Sequence, residues 1–343
     1  MSAERGEEQA QRPRGNFVLF GHAAAEAALL AAYRSVRVPH AFLIVGPKGI
    51  GKATLAYRMA RFVLAHPDPL AAEVRAATSL AVDESHPVAR RIAAQAQADL
   101  LVLERAPNEK GVLRQQIAVD DVRRTVPFFG STAGEGGWRI AIVDAVDELN
   151  RSSANALLKV LEEPPQRALL LLVCHSAARV PATLRSRCRT LVLRALSSAD
   201  VAHAVAAARG GAATDPHVAA AAAAAEGSVA RALALLDDEA LALRQQALDL
   251  LTRLPRLDAN ALHALGDALA GTDPQPLLSF VDTVNSWLSG RLREGEAEIG
   301  RLARLAEAFE RINAAAREAE TYNLERKPFV FGVFGLLAEA THG

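Results

Sequence analysis

Cysteine and aromatic residues are scarce in this chain. Of its 343 residues, two are cysteine, Cys174 and Cys188, and 5% are aromatic. Two thiols cannot form the network of bridges that stabilises small secreted domains, which excludes that class of protein. Half of the residues are apolar, enough for a sizeable core, and alanine and leucine occur throughout. This composition favours helices over β-sandwiches and barrels.

The chain also lacks an excess of either charge. Its 39 lysines and arginines balance 39 acidic residues, so the formal net charge is zero. A domain that binds nucleic acid strongly on its own usually carries a basic excess. We therefore expect any contact with nucleic acid to involve a local patch or to be shared with partner proteins.

Long hydrophobic runs are missing as well. No stretch of 18 or more apolar residues is free of charge, and the first fifteen residues are polar and carry both charges. These features predict neither a membrane span nor a secretory signal. We expect residues 1–15 to be disordered, and the protein to be cytoplasmic with no membrane partner.

Short apolar runs alternate with helical patterns through the first part of the chain. The predicted strands are Ala41–Val45, Leu100–Glu104, Arg139–Val143, Ala168–Cys174 and Thr190–Leu193. The predicted helices between and before them are His22–Arg34, 54–65, Asp120–Phe129 and Ser152–Glu163. Strands that alternate with helices favour an α/β fold with a parallel sheet covered on both faces, here over residues 16–195.

The rest of the chain has helical patterns and no convincing strand. Gly210 and Gly227 interrupt the helices between residues 196 and 238. Beyond this region, helical patterns continue to the end, with Pro255, Gly290 and Pro328 as breaks. We expect a small helical domain over 196–238, followed by an all-α domain over 239–343.

A glycine-rich tract, GPKGIGKA at residues 46–53, lies between the first predicted strand and a predicted helix. It matches seven of the eight positions of the P-loop pattern, in which glycines let backbone N–H groups approach phosphates and Lys52 reaches the outer phosphates. The last position of the pattern holds serine or threonine, whose hydroxyl binds magnesium, but here it is Ala53. Thr54 comes one residue later, which turns its hydroxyl by roughly 100° around the helix.

An acidic residue ends the third predicted strand. Asp144 follows the apolar run RIAIV, as an aspartate that helps to hold magnesium beside a P-loop does. An active ATPase of this kind normally has a glutamate next, to orient water, and here that residue is Ala145. Asp147 and Glu148 follow, and their positions favour a solvated face or a helix cap. Because a positioned base is worth about 10²–10⁴-fold in rate, its loss argues against hydrolysis.

The two motifs together define a degenerate nucleotide site. The residues predicted to contact nucleotide are Gly46, Gly49, Gly51, Lys52, Thr54 and Asp144. An ordinary glycine turn is the alternative interpretation of the tract. The sequence leaves open whether the loop still holds nucleotide.

Two further tracts resemble the clamp-loader family of bacterial DNA polymerase III, which has the AAA+ fold. One tract is NALLKVLEEPP at residues 155–165, and the other is Ser186-Arg187-Cys188. With the two nucleotide-site motifs, the resemblance covers roughly residues 17–235, while the rest matches in length and helicity only. The resemblance implies an AAA+ P-loop domain at 16–195, a helical lid domain at 196–238 and an all-α C-terminal collar at 239–343 that joins subunits.

The resemblance also implies a role in DNA replication. In this family, five related subunits form an open ring, and ATP binding lets them open the sliding clamp and load it onto primed DNA. Since Ala53 and Ala145 replace the magnesium hydroxyl and the water-orienting glutamate, the chain resembles the stationary subunit that does not hydrolyse ATP. The implied partners are the ATPase subunits gamma and tau, the delta subunit, the sliding clamp indirectly, and primed DNA in the assembled complex.

Arg187 is the catalytic residue that the resemblance implies. In this family the arginine projects from the subunit edge toward the ATP of a neighbour, as an arginine finger acting in trans. Its planar, permanently charged guanidinium can contact two phosphoryl oxygens. The alternative is a structural arginine that pairs with a carboxylate. Arg185 and Arg189 compete with it by position but lack the motif.

The resemblance is incomplete over residues 66–99. Many relatives carry four cysteines there as a zinc module, whereas this chain has none, and only His66 and His86 remain. Two histidines do not make a tetrahedral site, so we expect no zinc and no other metal. We expect no required cofactor, and the degenerate loop would accept ATP or ADP without hydrolysing it.

Two other functions compete with this interpretation. One is an ATP-hydrolysing subunit of the same family, of the gamma/tau type, against which Ala53 and Ala145 count. The other is a DNA-binding remodeller such as a branch-migration motor, which would need a basic C-terminal domain. The tail PFVFGVFGLLAEA at residues 328–340 is instead apolar.

Overall fold

The computed structural model describes residues 13–35, 37–106, 114, 116–130, 137–236, 238–271, 274–293, 299–322 and 324–341. The chain divides into two compact units between Ala232 and Leu233. The first unit holds the sheet and most of the helical region expected over 196–238. The boundaries expected at residues 195 and 238 stay predictions, because the division does not separate a lid from the sheet.

A parallel sheet forms the centre of the first unit. Its strands, within the described residues, are β1 (Ala41–Val45), β2 (Leu100–Glu104), β3 (Arg139–Asp144), β4 (Ala168–Cys174) and β5 (Arg189–Val192). Their order across the sheet is β2-β3-β4-β1-β5, and every neighbouring pair is parallel. All of β4 is buried, as expected for a strand with neighbours on both edges and helices on both faces. The predicted α/β fold is confirmed.

Helices precede, separate and follow these strands. Those of the first unit are α1 (Ala23–Tyr33), α2 (Lys52–Ala65), α3 (Ala72–Ala76), α4 (Pro87–Ala93), α5 (Val119–Arg123), α6 (Thr125–Gly130), α7 (Arg151–Glu162), α8 (Ala182–Arg185), α9 (Ser198–Arg209), α10 (Pro216–Ala224) and α11 (Val229–Ala234), the last of which crosses the division. α7 begins after Asn150, whose side chain accepts a hydrogen bond from the Ser153 N–H, and it ends before Pro164.

The core of the first unit lies on both faces of the sheet. Phe42 and Ile44 of β1 belong to a buried cluster with residues of α1 and α2, whereas Ala41 and Leu43 belong to a cluster with residues of α7. Because successive side chains of a strand point to opposite faces, this alternation places α1 and α2 on one face and α7 on the other.

Residues 13–15 form a turn that contacts α2. Residues 1–12 lie outside the described part, so the disorder expected over residues 1–15 stays a prediction. Arg61 of α2 is 2% exposed and donates hydrogen bonds to the carbonyls of Arg14, at 2.6 Å, and Asn16, at 2.9 Å. Its guanidinium also lies 4.3 Å from the ring centre of Phe17. A buried charge requires such partners, and the polar composition of the segment did not reveal them.

The second unit is helical wherever it is described. Its helices are α12 (Asp238–Thr252), α13 (Ala259–Ala268), α14 (Pro274–Arg293), α15 (Ile299–Tyr322) and α16 (Arg326–Thr341). They share a buried core that includes Phe280, Ile312 and Phe334. Among the helices described in both units, none combines the length and the hydrophobicity needed to cross a membrane. The predicted all-α C-terminal region is confirmed.

Candidate nucleotide site

The glycine loop lies where the carboxyl ends of adjacent strands meet. Val45, the last residue of β1, is in register with Cys174 of β4, and Asp144 of β3 is in register with Val173. The loop at residues 46–51 follows β1 directly and leads into α2. Ligands of open parallel sheets bind at this edge. The fold thus brings the predicted loop and the predicted acidic residue to one edge.

Backbone shape requires glycine at two positions of the loop. Gly49 and Gly51 have φ angles of +78° and +96°, in the left-handed region that residues with a side chain rarely adopt. At Gly49 a side chain would also collide, because its Cβ position overlaps the hydroxyl oxygen of Ser228 and lies 2.8 Å from the Cβ of Ala230. The fold of the protein itself therefore demands these glycines.

The start of α11 lies directly on the loop. The backbone N–H groups of Val229 and Ala230 both donate to the carbonyl of Gly49, at 2.9 and 3.3 Å. The first N–H groups of a helix have no partner within the helix, so the loop carbonyl satisfies two of them. Ser228 precedes the helix and is 8% exposed. Residues 228–230, the lid contact, therefore brace the glycine loop.

His22 is a residue of this site that the sequence did not reveal. Its side chain is buried, and its Nε2 donates a hydrogen bond to the carbonyl of Ile50 at 2.7 Å. Burial lowers the pKa of His22, so the ring is neutral near pH 7 and its proton lies on Nε2. The two partners are 28 residues apart, and a histidine at the predicted start of the first helix was the one available signal.

Lys52 is buried and bonded to its own loop. The side chain is 3% exposed, and Nζ donates hydrogen bonds to the carbonyls of Gly46, at 2.7 Å, and Pro47. Burial lowers the pKa of Lys52 to about 8, and the charge of Asp144 partly opposes this shift. The lysine is therefore mostly protonated at pH 7. A phosphate would have to displace two carbonyl acceptors to reach it.

Asp144, the last residue of β3, and Asp147, three residues later, have different surroundings. Burial raises the pKa of Asp144 to about 6, an effect that Lys52 opposes. Asp147 is 6% exposed, and its carboxylate accepts hydrogen bonds from the backbone N–H groups of His175, at 2.9 Å, and Ser176, at 3.1 Å. The expectation of a solvated face or cap is therefore wrong for Asp147, whose carboxylate joins the segment after β3 to the end of β4.

The position next to Asp144, where a hydrolase has its water-orienting glutamate, carries no ionisable side chain in this chain. That position is Ala145, which is 2% exposed. Glu148 forms an ion pair with Arg105 at 2.9 Å, and its side chain is 20% exposed rather than fully solvated. Burial, assisted by the charge of Lys52, lowers the pKa of His175 to about 4, so that this ring is neutral at pH 7.

The donor groups of this edge fit phosphates but not a catalytic magnesium ion. The loop amides and Lys52 correspond to the phosphate-binding part of the pattern. Ala53, however, presents a methyl group that packs against the core cluster of α1 and α2, where the pattern requires a hydroxyl. Thr54 is buried on α2, one residue beyond that position. Its predicted role as a nucleotide contact stays a prediction.

Arg187 lies between α8 and the edge strand β5. Its Nη2 forms an ion pair with the Oε1 of Glu162 at 2.9 Å, and its Nη1 donates to the carbonyl of Thr183 at 2.9 Å. The side chain is 36% exposed, so the guanidinium can reach solvent or a partner. The pairing with a carboxylate is observed, and the action in trans stays a prediction.

The two histidines left over from the zinc comparison have other contacts. His66 lies 3.2 Å from the carboxylate of Glu73, and the Nδ1 of His86 accepts the N–H of Val88 at the start of α4. Within the described part of the chain, no three or more histidine, cysteine or acidic side chains cluster so as to hold a metal ion. The absence of zinc stays a prediction.

Comparison with known proteins identifies a family. Residues 21–197 match the family model described as DNA polymerase III, delta subunit. The chain is 38% identical over 149 residues to subunit delta' of DNA polymerase III from Pseudomonas aeruginosa, which covers 43% of this chain and 41% of the relative. It is 26% identical over 303 residues to subunit tau from Escherichia coli, which covers 88% of this chain and 40% of the relative.

The sequence matches cover only part of each relative, and a solved structure also matches this chain. The chain spans about two fifths of the length of each of these two relatives. A gamma-subunit-related protein of DNA polymerase III from Thermotoga maritima matches 92% of this chain and 99% of its own chain, with a TM-score of 0.46 and 15% identity.

Proposed function

Because the chain belongs to the DNA polymerase III delta-subunit family, we propose that it is a clamp-loader subunit of the delta-prime type. In this role it does not hydrolyse ATP itself. It supports the ATP-dependent loading of a sliding clamp onto primed DNA during replication. Its proposed partners are the gamma or tau ATPase subunits and a delta subunit, which contact it through the collar at residues 239–343 and through the edge that carries Arg187.

The observation that carries this proposal is the pair of alanines in an otherwise preserved site. Ala53 and Ala145 stand where a hydrolase has a magnesium-binding hydroxyl and a water-orienting glutamate. Gly46, Gly49, Gly51 and Lys52, which the pattern uses to hold phosphate, are present, and the loop that carries them follows β1 at the carboxyl edge of the sheet. The loss of the base alone is worth about 10²–10⁴-fold in rate, so the site can retain nucleotide binding without turnover.

Nucleotide is not required for this role. ATP or ADP bound at the loop would supply phosphate oxygens and a negative charge near Lys52. The loop amides and the Nζ of Lys52 would hold these oxygens once the bonds from Nζ to Gly46 and Pro47 are released. Since Lys52 must give up its hydrogen bonds to the carbonyls of Gly46 and Pro47 before it can reach a phosphate, we expect weak nucleotide affinity.

Arg187 supports a catalytic contribution to a neighbouring subunit. It lies beside an edge strand, its guanidinium is partly exposed, and its anchors leave further N–H groups to donate. Negative charge spreads over the transferred phosphoryl group in the transition state, and an arginine finger stabilises it by about 10³–10⁵-fold in rate. A subunit that does not hydrolyse ATP can therefore accelerate ATP hydrolysis in a neighbouring subunit.

The test is Arg187→Ala in a complex reconstituted with the gamma or tau and delta partners, with the other ATP sites disabled. We expect ATP turnover at the adjacent site to fall by about 10²-fold or more, because the transition-state charge loses its cation. Assembly, followed by gel filtration, should be unchanged. Arg185→Ala and Arg189→Ala are matched controls, because both side chains are exposed, flank Arg187 and carry the same charge.

A second measurement, the ATP turnover of the isolated chain, separates the proposal from its alternative. An ATP-hydrolysing gamma/tau-type subunit is favoured by the match to tau over most of this chain. In that case the isolated chain would turn over ATP at about one per second, within the usual range of enzymes. Our proposal requires that the isolated chain show no ATP turnover above background. It also fails if Arg187→Ala leaves ATP turnover at the neighbouring site unchanged.

A further inference from the structure

We infer that Glu162 is a positioning residue that holds the Arg187 side chain in the orientation in which it meets the neighbouring ATP. The inference rests on the proposed function of Arg187. Glu162 belongs to the LEEPP part of the tract at residues 155–165, so this pairing gives one acidic residue of that tract a specific task. The geometry that supports it comes from two separate helices.

Two anchors from different helices hold the guanidinium, and Nη1 also donates a longer hydrogen bond to the hydroxyl of the adjacent Ser186 at 3.4 Å. The Oε1 of Glu162, at the end of α7, lies 2.9 Å from Nη2, and the carbonyl of Thr183, on α8, accepts from Nη1 at 2.9 Å. A long arginine side chain has many rotamers, and ordering it during the reaction is unfavourable in entropy. Two contacts on different nitrogen atoms restrict both the position and the plane of the guanidinium before any phosphate arrives.

The core fixes the two anchors relative to each other. Leu161 directly precedes Glu162, and Leu184 lies between Thr183 and Arg187; both leucines are at most 2% exposed and belong to the same buried cluster. The helix that carries Glu162 ends before two consecutive prolines, which cannot continue it. The carboxylate therefore sits on a rigid end, so its pairing with Arg187 is set by the fold.

Charge at this helix end also favours the pairing. An acidic side chain in the last turn of a helix meets the negative end of the helix dipole, which is the unfavourable placement. A nearby guanidinium offsets that repulsion. The five N–H donors of arginine exceed the two that Glu162 and Thr183 engage, so donors remain for phosphoryl oxygens. The carboxylate thus orients Arg187 without using up its capacity to donate.

The experiment measures kcat and KM for ATP at the adjacent site of the reconstituted complex with Glu162→Ala. We expect kcat to fall about two- to five-fold, which is the ~0.4–1 kcal/mol of an exposed ion pair converted at 1.4 kcal/mol per tenfold. KM should change little, because Arg187 acts in the transition state. Glu162→Gln keeps an oxygen that can accept the Nη2 hydrogen bond, so it should retain an intermediate kcat.

Glu163→Ala is the matched control. It removes the same charge from the adjacent exposed position, and it should leave kcat unchanged. Because the Glu162 side chain is half exposed, added salt should shrink the difference between wild type and Glu162→Ala. Rates for Glu162→Ala that equal or exceed wild type would overturn the inference, as would an equal loss with Glu163→Ala.

Comparison of the two single variants distinguishes failure of this inference from failure of the proposed function. If Arg187→Ala lowers turnover while Glu162→Ala does not, Arg187 acts in trans without Glu162. If neither change lowers turnover, the trans role itself is wrong. In Arg187→Ala, Glu162→Ala should have no further effect, since the carboxylate acts through that arginine alone.

Discussion

Lys52 and Asp144 carry opposite charges beside the glycine loop, and burial acts against both. It lowers the pKa of Lys52 to about 8 and raises that of Asp144 to about 6. Each charge partly compensates the other, and neither returns to its ordinary value. A phosphate bound near Lys52 would favour its charged form and disfavour the charged form of Asp144, because nearby opposite charges stabilise an ion and like charges destabilise it.

Asp144→Asn should change how stability depends on pH. The ordinary pKa of this carboxyl is 3.8 and its folded value is about 6, so between these values the folded state keeps a proton that the unfolded state has released. Wild-type stability from this group is therefore present below pH 4 and is lost as pH rises to about 6. Asparagine has no such dependence. Between pH 4 and 7 the wild type should lose on the order of 2 kcal/mol relative to the variant.

The measurement needs a probe of the first unit alone. Trp138 is 7% exposed in the core of that unit, where it packs against Tyr33. Trp287 is the other of the two tryptophans, so urea unfolding in a Trp287→Phe background reports on Trp138. Parallel pH dependences for the two proteins would show that Asp144 does not titrate in this range.

Single residues also show how far sequence predicts this site. The loop glycines, Lys52 and Asp144 follow from a local pattern, and the sheet brings them to one edge. Asp147 and His22 do not follow, because their partners are backbone groups 28 or 29 residues away in the chain. From sequence alone, a carboxylate after a strand is expected to be solvated. Its burial becomes evident only when the segment that supplies its N–H donors is known to lie beside it.

At the scale of elements, buried strands were easier to predict than helix boundaries. β1 and β4 have the predicted bounds, because a parallel strand covered on both faces is a continuous apolar run. β2 also has the predicted bounds although it is an edge strand, because its sequence LLVLE is still an apolar run. β5 begins one residue earlier than expected; it is an edge strand with mostly exposed side chains, so its pattern is weak. The single helix expected over 120–129 is two, α5 and α6, which meet at Arg124 and Thr125.

The contact between α11 and the glycine loop can be tested with two glycines. Gly49 and Gly210 have similar φ angles, +78° and +69°, but a Cβ at Gly210 meets nothing within 4 Å, whereas one at Gly49 collides with Ser228 and Ala230. Gly210→Ala should therefore cost about 1–2 kcal/mol, from backbone conformation alone. Gly49→Ala should cost about 1–3 kcal/mol more, because the lid contact must also move.

Urea unfolding of both variants, again followed through Trp138, measures this difference. Equal destabilisation by the two substitutions would mean that the lid contact yields freely and does not brace the loop. A larger effect at Gly49 identifies the contact as a part of the folded unit that any nucleotide would have to accommodate.

At the scale of the whole molecule, the buried core clusters and the proposed roles both divide between the same two compact units. The two clusters that flank the sheet contain residues up to Leu193, and the third cluster begins at Leu243. Each cluster therefore lies within one unit. The site residues all belong to the first unit, and the collar proposed for assembly coincides with the second. Balanced net charge over the chain is consistent with recognition through surfaces of specific shape rather than through a general basic field.

A chain that ends after Leu236 should fold but fail to join the complex. The cut keeps α11 whole and removes the helices of the second unit, whose core is separate, so the sheet should retain its far-ultraviolet circular dichroism and the burial of Trp138. Obligate assemblies rest on large apolar interfaces, and in our proposal the collar at residues 239–343 supplies such an interface. Gel filtration with the gamma or tau and delta partners should show the full chain in the complex and the shortened, folded chain eluting alone. Co-elution of the shortened chain would place the main assembly surface in the first unit instead.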